Sequence, residues 1–136
     1  MNWTDIYDLL RALLESEWTA CPISYQNEDF DAPYGAPWIY AEILPIESGG
    51  SNFNTPGLRI GSGLGLIALH VFVPTGTGTR DAFDIADQLA ALLRFRTLST
   101  GVETAAASVA GGATSDDEGN WYRTSVTTPV HINTTI

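Results

Sequence analysis

The chain reads as a single α+β domain over residues 1–136: a mainly antiparallel β-sheet with two helices packed on one face, in the order α-β-β-β-α-β-β. Three observations lead there. Two segments carry apolar residues at helical spacing, and several shorter ones alternate or run apolar between Pro, Gly and Asn, as strands do. The length of 136 residues, 44% of them hydrophobic, suits one domain with one core.

Residues 4 to 17 predict the first helix, because Ile6, Leu9, Leu10, Leu13 and Leu14 recur at i, i+3, i+4, i+7 and i+8 and form one stripe. Asn2 or Thr4 can cap it, with Asp5 and Asp8 near the positive end of the helix dipole. Pro22 marks the exit, CPISYQN suits a short strand, and the turn-rich EDFDAPYGAP follows as far as Pro37. Trp38 to Leu44 predicts a second strand, with Ile39, Ala41 and Ile43 facing the core and Trp38, Tyr40, Glu42 and Leu44 facing away. Pro45 to Gly57, PIESGGSNFNTPG, has no hydrophobic period and exceeds an ordinary hairpin loop, so it reads as an exposed arm. LRIGSGLGLIALHVFVP predicts a long strand, bent or bulged at Gly61, Gly63 and Gly65.

A second helix is predicted from about Thr79 to Arg94, capped by Thr77 or Thr79. Phe83, Ala86, Ala90 and Leu93 form its stripe, widened by Ile85, Leu89 and Leu92. Asp81 at its start, and Arg94 and Arg96 at its end, complement the dipole. A strand near Thr104 to Val109, the acidic loop GGATSDDEGN and a final strand WYRTSVTTPVHI complete the order as a hairpin. In that last strand Trp121, Arg123, Ser125 and Thr127 alternate with Tyr122, Thr124 and Val126.

Sixteen carboxylates face six basic residues, all of them Arg (Arg11, Arg59, Arg80, Arg94, Arg96 and Arg123), for a net charge of −10. Nucleic-acid affinity comes from cations on phosphate, so this composition would repel DNA, which is useful only where DNA must pass without sticking. The one cysteine, Cys21, excludes an intramolecular disulfide and reads as a small core or edge residue. The opening MNWTDIYDLL is acidic where a signal peptide is basic, and no apolar run reaches the roughly 20 residues that span a bilayer. The expectation is a soluble protein made in the cytoplasm, without a membrane partner.

The motifs carry little catalytic chemistry. The turn at Gly76–Gly78 lies between a strand and a helix, as a phosphate-binding loop does. Counting back from Gly78, however, puts Val73 at the first-glycine position and Thr79 at the lysine position, with Arg80 one residue late. The free N–H groups of the helix start can still attract an anion weakly. GSGLG precedes a strand, whereas a dinucleotide fingerprint follows one. Asp116, Asp117 and Glu118 lack the alternating ligands of a calcium loop, and His70 and His131 stand apart without zinc-ligand spacing. Ser62 between glycines is not a nucleophile elbow. No catalytic residue, metal or cofactor is expected. Trp3, Trp18, Trp38 and Trp121, with Tyr34 and Phe53, divide between core and interface.

Four stretches together resemble the phage tail terminator-like family of tail-completion proteins found in long-tailed phages, prophages and gene-transfer particles. They are the N-terminal amphipathic helix before a Pro-bounded strand, DAPYGAPWIYAEILP, LHVFVPTGTGTRDAFDIADQLAALLR, and GNWYRTSVTTPV. Asp31, Pro33, Pro37, Trp38, Val73, Pro74, Gly76, Gly78, Ala86, Asp87, Leu89, Trp121 and Tyr122 carry the likeness. The resemblance implies a structural virion protein at the head-proximal end of the tail, assembled in the host cytoplasm. Such a protein forms a ring, usually of six subunits, that caps the tail tube, stops its polymerisation and offers the head-joining surface. Its implied partners are further copies of itself, the major tail tube protein and head–tail connector or neck proteins, with DNA passing through the lumen unbound. Loop length and charge nominate Glu47, Asn52, Phe53 and Asn54 as ring or tube contacts, and Asp116, Asp117 and Glu118 as an acidic lumen. The alternatives are another neck, head-completion or adaptor protein, and a phosphate-binding enzyme using the Gly76–Gly78 turn.

Overall fold

The computed structural model describes residues 3–52, 59–111 and 121–135. Helix α1 spans Trp3–Glu17 and buries Ile6, Leu10 and Leu14 of the predicted stripe, with Leu13 partly buried against the core and Leu9 half-buried. Strand β1, Ile23–Tyr25, pairs in parallel with the start of β2, Trp38–Asn52. That parallel pair is absent from the sequence-based expectation and arises because the long 26–37 connection returns the chain to the same end. β2 is antiparallel to β3, Arg59–Pro74, and β3 to β7, Trp121–Thr135. Helix α2, Arg80–Leu93, crosses between β3 and the short strands β4, Thr97–Ser99, and β5, Val102–Thr104. The last short strand is β6, Ser108–Ala110. The sheet order is β1-β2-β3-β7-β5-β4, and β6 shares the flank of β7 that β5 occupies.

Alternation sorts the sheet into two faces. Ile39 and Ala41 on β2, Ile67, Leu69, Val71 and Val73 on β3, and Val126 and Val130 on β7 point one way and are buried. They meet α1 and, from α2, Ala82, Ala86, Leu89 and Leu93 in one core. Each large side chain fully buried here contributes about 1.5–3 kcal/mol relative to exposure, so this layer holds the fold together. Both helices lie over this face, as expected.

Four local expectations need correction. The stretch from Pro45 is not a loop: β2 runs on to Asn52 in register with β3, with Asn52 opposite Arg59. Gly and Ser have poor strand propensity, so the pattern is silent there, and the ladder forms because β3 supplies partners. One strand near Thr104–Val109 is replaced by β5 and β6, split by 105–107. On α2 the buried residue of the first turn is Ala82, while Phe83 is 42% exposed. Finally, α2 starts at Arg80, and its N-cap Thr79 makes no side-chain cap bond; the hydroxyl of Thr77 instead donates to the Pro74 carbonyl at 2.7 Å.

The C-terminal end of α2 is closed by a residue far along the chain. The buried hydroxyl of Thr104 donates to the Leu93 carbonyl and accepts from the Arg96 N–H at 2.7 Å, while the Thr104 N–H donates to the Arg96 carbonyl at 2.8 Å. One of the carbonyls left unpaired by the end of the helix is thereby satisfied. Phe95, at φ 48°, makes the left-handed step that ends the helix, and its N–H donates to the Ala105 carbonyl at 3.0 Å.

Candidate functional site

Three features stand outside the core: a three-stranded arm, the turn before α2, and the outer sheet face. The arm comprises residues 45–52 of β2, 59–65 of β3 and 130–135 of β7. At its root the register shifts between Pro45 and Glu47, so Ile46 is an extra residue and lies 57% exposed. Such a bulge reverses which residues point their backbone outward. Before it, the Ile39 N–H donates to the Pro22 carbonyl at 3.0 Å and the Ile43 N–H to Gln26 Oε1 at 2.9 Å, so odd-numbered residues of β2 face away from β3. After it, Glu47 pairs with Leu64, and the even-numbered Ser48, Gly50 and Asn52 face away. Two of the contact residues nominated from sequence, Glu47 and Asn52, are thus strand residues of this arm. Phe53 and Asn54 lie outside the described residues, as do Asp116, Asp117 and Glu118.

At the root of the arm α1 leans on β3. A Cβ built on Gly65 would lie 2.7 Å from Cη2 and 2.9 Å from Cζ3 of Trp3, so the six-membered ring of the indole packs directly against the glycine. This close approach is what the glycine permits, and the arm is braced there by the body.

The turn before α2 holds Gly76 at φ 89° and Gly78 at φ 85°, the left-handed region that suits glycine. Its internal bond from Thr77 to Pro74 makes it a compact strand-to-helix corner, and it lacks the lysine that a phosphate cradle places there.

The outer face carries side chains that sequence spacing could not join. His70 Nδ1 lies 2.7 Å from Ser125 Oγ, and His70 Nε2 lies 2.6 Å from Glu42 Oε1. The three come from neighbouring strands, so only the register reveals them. The row has the residue types of a nucleophile, base and orienting acid. Ser125, however, sits on a strand paired on both flanks, opposite His70 of β3 and Ala110 of β6, so its N–H belongs to a ladder and forms no oxyanion site. The row works as a polar clasp across the sheet. Beside it Trp38 stacks on Phe72 at 4.3 Å, meets Trp121 edge-on at 5.9 Å and carries Phe30 at 5.2 Å, which ties the 26–37 connection to the sheet. Beyond lies a groove of about 450 Å³ lined by Pro33, the fully exposed Tyr34, Pro74 and Trp121.

Arg11 fixes the other end of that connection. Its guanidinium bonds Glu28 at 2.8 Å, Glu15 at 2.9 Å and the Tyr7 hydroxyl at 2.6 Å, and lies 4.1 Å from the Tyr25 ring centroid. The Glu28 bond, ahead of those to Glu15 and Tyr7, raises its pKa and keeps it charged. Cys21 is half-buried, and burial pushes its thiol pKa up, away from the reactive thiolate. Among the described residues no His, Cys, Asp and Glu side chains cluster as a metal site, and no helix is long and apolar enough to cross a membrane.

A braced sheet, a three-stranded arm and a polar clasp across the outer face are what the described residues present. The family profile described as phage tail terminator protein matches residues 5–129, and the chain belongs to that family of structural phage tail proteins. A solved protein structure that carries only a sequence label for a name has the same fold. It aligns with a TM-score of 0.61 at 22% identity, covering 93% of this chain and 94% of its own. A search of curated proteins found no match.

Proposed function

We propose that the protein closes the head-proximal end of a phage tail as a ring of copies, six by the family resemblance. The ring stops growth of the tube and presents the surface that a filled head joins. The observation that carries this reading is the family match over residues 5–129. A net charge of −10 supports it, since the inside of such a ring must let DNA pass. In this reading Glu47, Asn52, Phe53 and Asn54 contact the neighbouring copy or the major tail tube protein. Asp116, Asp117 and Glu118 face the lumen, and a head–tail connector or neck protein meets the opposite side. The protein takes its place in the virion after assembly in the host cytoplasm, and acts without a cofactor or catalysis.

Deleting the chain from a tailed particle and supplying it in trans tests the proposal. Without it, tubes of uneven, excessive length and unjoined heads are expected, and uniform joined tails on restoring it. Tails of normal length attached to heads in its absence would overturn the reading.

A further inference from the structure

Both flanks of the arm are bare at the same end of the molecule. On one flank β1 covers β2 only from Ile39 to Ala41, and the side chain of Gln26 takes the Ile43 N–H. From Glu47 to Asn52 no described strand pairs with that side, where Ser48, Gly50 and Asn52 point their backbone groups. Leu44 and Ile46, at the start of this stretch, are 40% and 57% exposed. On the opposite flank β5 ends with Val102 opposite Ile132, so the outward backbone of Asn133 and Thr135 lacks a strand partner among the described residues. The body, by contrast, ends in the three-residue strands β1 and β4, the short edges that discourage pairing.

We infer that the arms of neighbouring copies join side by side, with β2 residues 47–52 of one copy pairing with β7 residues 133–135 of the next. Two different flanks on one arm give a head-to-tail contact, which repeats from copy to copy and makes a ring where the rotation closes; a two-fold contact would pair β2 with β2 and stop at a dimer. The direction follows from topology. β2 and β7 are both antiparallel to β3 and so run parallel to each other; copies related by rotation about an axis along the arm keep that sense, making the new ladder parallel. The inference rests on the ring proposed above and adds to it which backbone edges seal the joint.

Proline separates the edge from the ladder, because it removes one N–H. Gly50→Pro removes an outward N–H, whereas Gly49→Pro removes one committed to β3. Both are compared with the wild-type protein by circular dichroism, by thermal melting, and by mass measurement with and without tail tubes. Gly50→Pro is expected to melt within a few degrees of wild type and lose at least about tenfold in assembled fraction, while Gly49→Pro lowers the melting temperature. Gly50→Pro assembling as wild type would overturn the inference, and if it still capped tubes the terminator reading would stand without it. A second experiment covers a Gly50→Pro that fails to fold: Ser48→Cys with Asn133→Cys on a Cys21→Ser background, treated with a bis-maleimide. A ladder of trimers and larger species is expected; dimers alone, formed equally by Ser48→Cys without Asn133→Cys, would establish two-fold pairing and refute it. Should wild type cap no tubes while the double-cysteine variant still gives the ladder, the terminator reading fails and the edge contact survives.

Discussion

Gly65→Ala probes how the body braces the arm. The new methyl would stand 2.7 Å and 2.9 Å from the Trp3 indole and 3.1 Å from the Leu44 carbonyl, so the indole must move for it to fit. Forcing an extra carbon into a packed site costs about 1–3 kcal/mol. Replacing glycine in an extended segment returns about 0.5–1 kcal/mol through the lower entropy of the unfolded chain. The net expectation is a loss of about 0.5–2 kcal/mol, read as a shift of the urea midpoint at unchanged slope. In a Trp3→Ala background the main obstacle is gone and the same change is expected to be neutral or slightly stabilising. The double-mutant cycle then gives a coupling of about 1–3 kcal/mol. Equal destabilisation in both backgrounds would refute the reasoning, placing the crowding at the Leu44 carbonyl instead of the indole.

Thr104→Val keeps the shape of the residue but strips the hydroxyl from the Leu93 carbonyl and the Arg96 N–H, and a loss of about 1–3 kcal/mol is expected in urea unfolding. Phe95→Gly should stabilise by about 0.5–1 kcal/mol, because Phe95 is 75% exposed, buries little, and sits at a left-handed φ that costs a side chain about 1–2 kcal/mol. Burial raises the pKa of the Cys21 thiol and, more than the nearby Glu15 charge does, that of the Tyr25 phenol. Both groups therefore keep their protons longer when folded. Stability is fully present below the unfolded thiol value of about 8.5 and falls as pH rises above it. Denaturation midpoints measured from pH 7 to 10.5 should show the decline, with its earliest part removed in Cys21→Ser.

Periodic segments were legible without coordinates. The α1 stripe and the Ile39, Ala41, Ile43 face of β2 follow from spacing alone, because an amphipathic element has one face to bury. The second half of β2 was not, since SGGSN carries no side-chain alternation and is held by the backbone ladder to β3. Phe83 misleads for a related reason: hydrophobicity suggested a core position, but in the first turn of α2 the small Ala82 is the residue turned inward. The Glu42–His70–Ser125 clasp and the Trp38–Phe72–Trp121 stack depend on register between strands far apart in sequence. The family was legible because VFVPTGTGT and DAPYGAPW join local turn chemistry to flanking strands, and the match over 5–129 agrees with it.

Single-particle imaging of purified, headless tails carrying a tagged copy of the chain addresses the ring most directly. One closed ring at the end of the tube that receives the head, labelled in every subunit and absent from the distal tip, is the expected image. Label along the tube, at the distal tip, or missing from tails of normal length would contradict a terminator role.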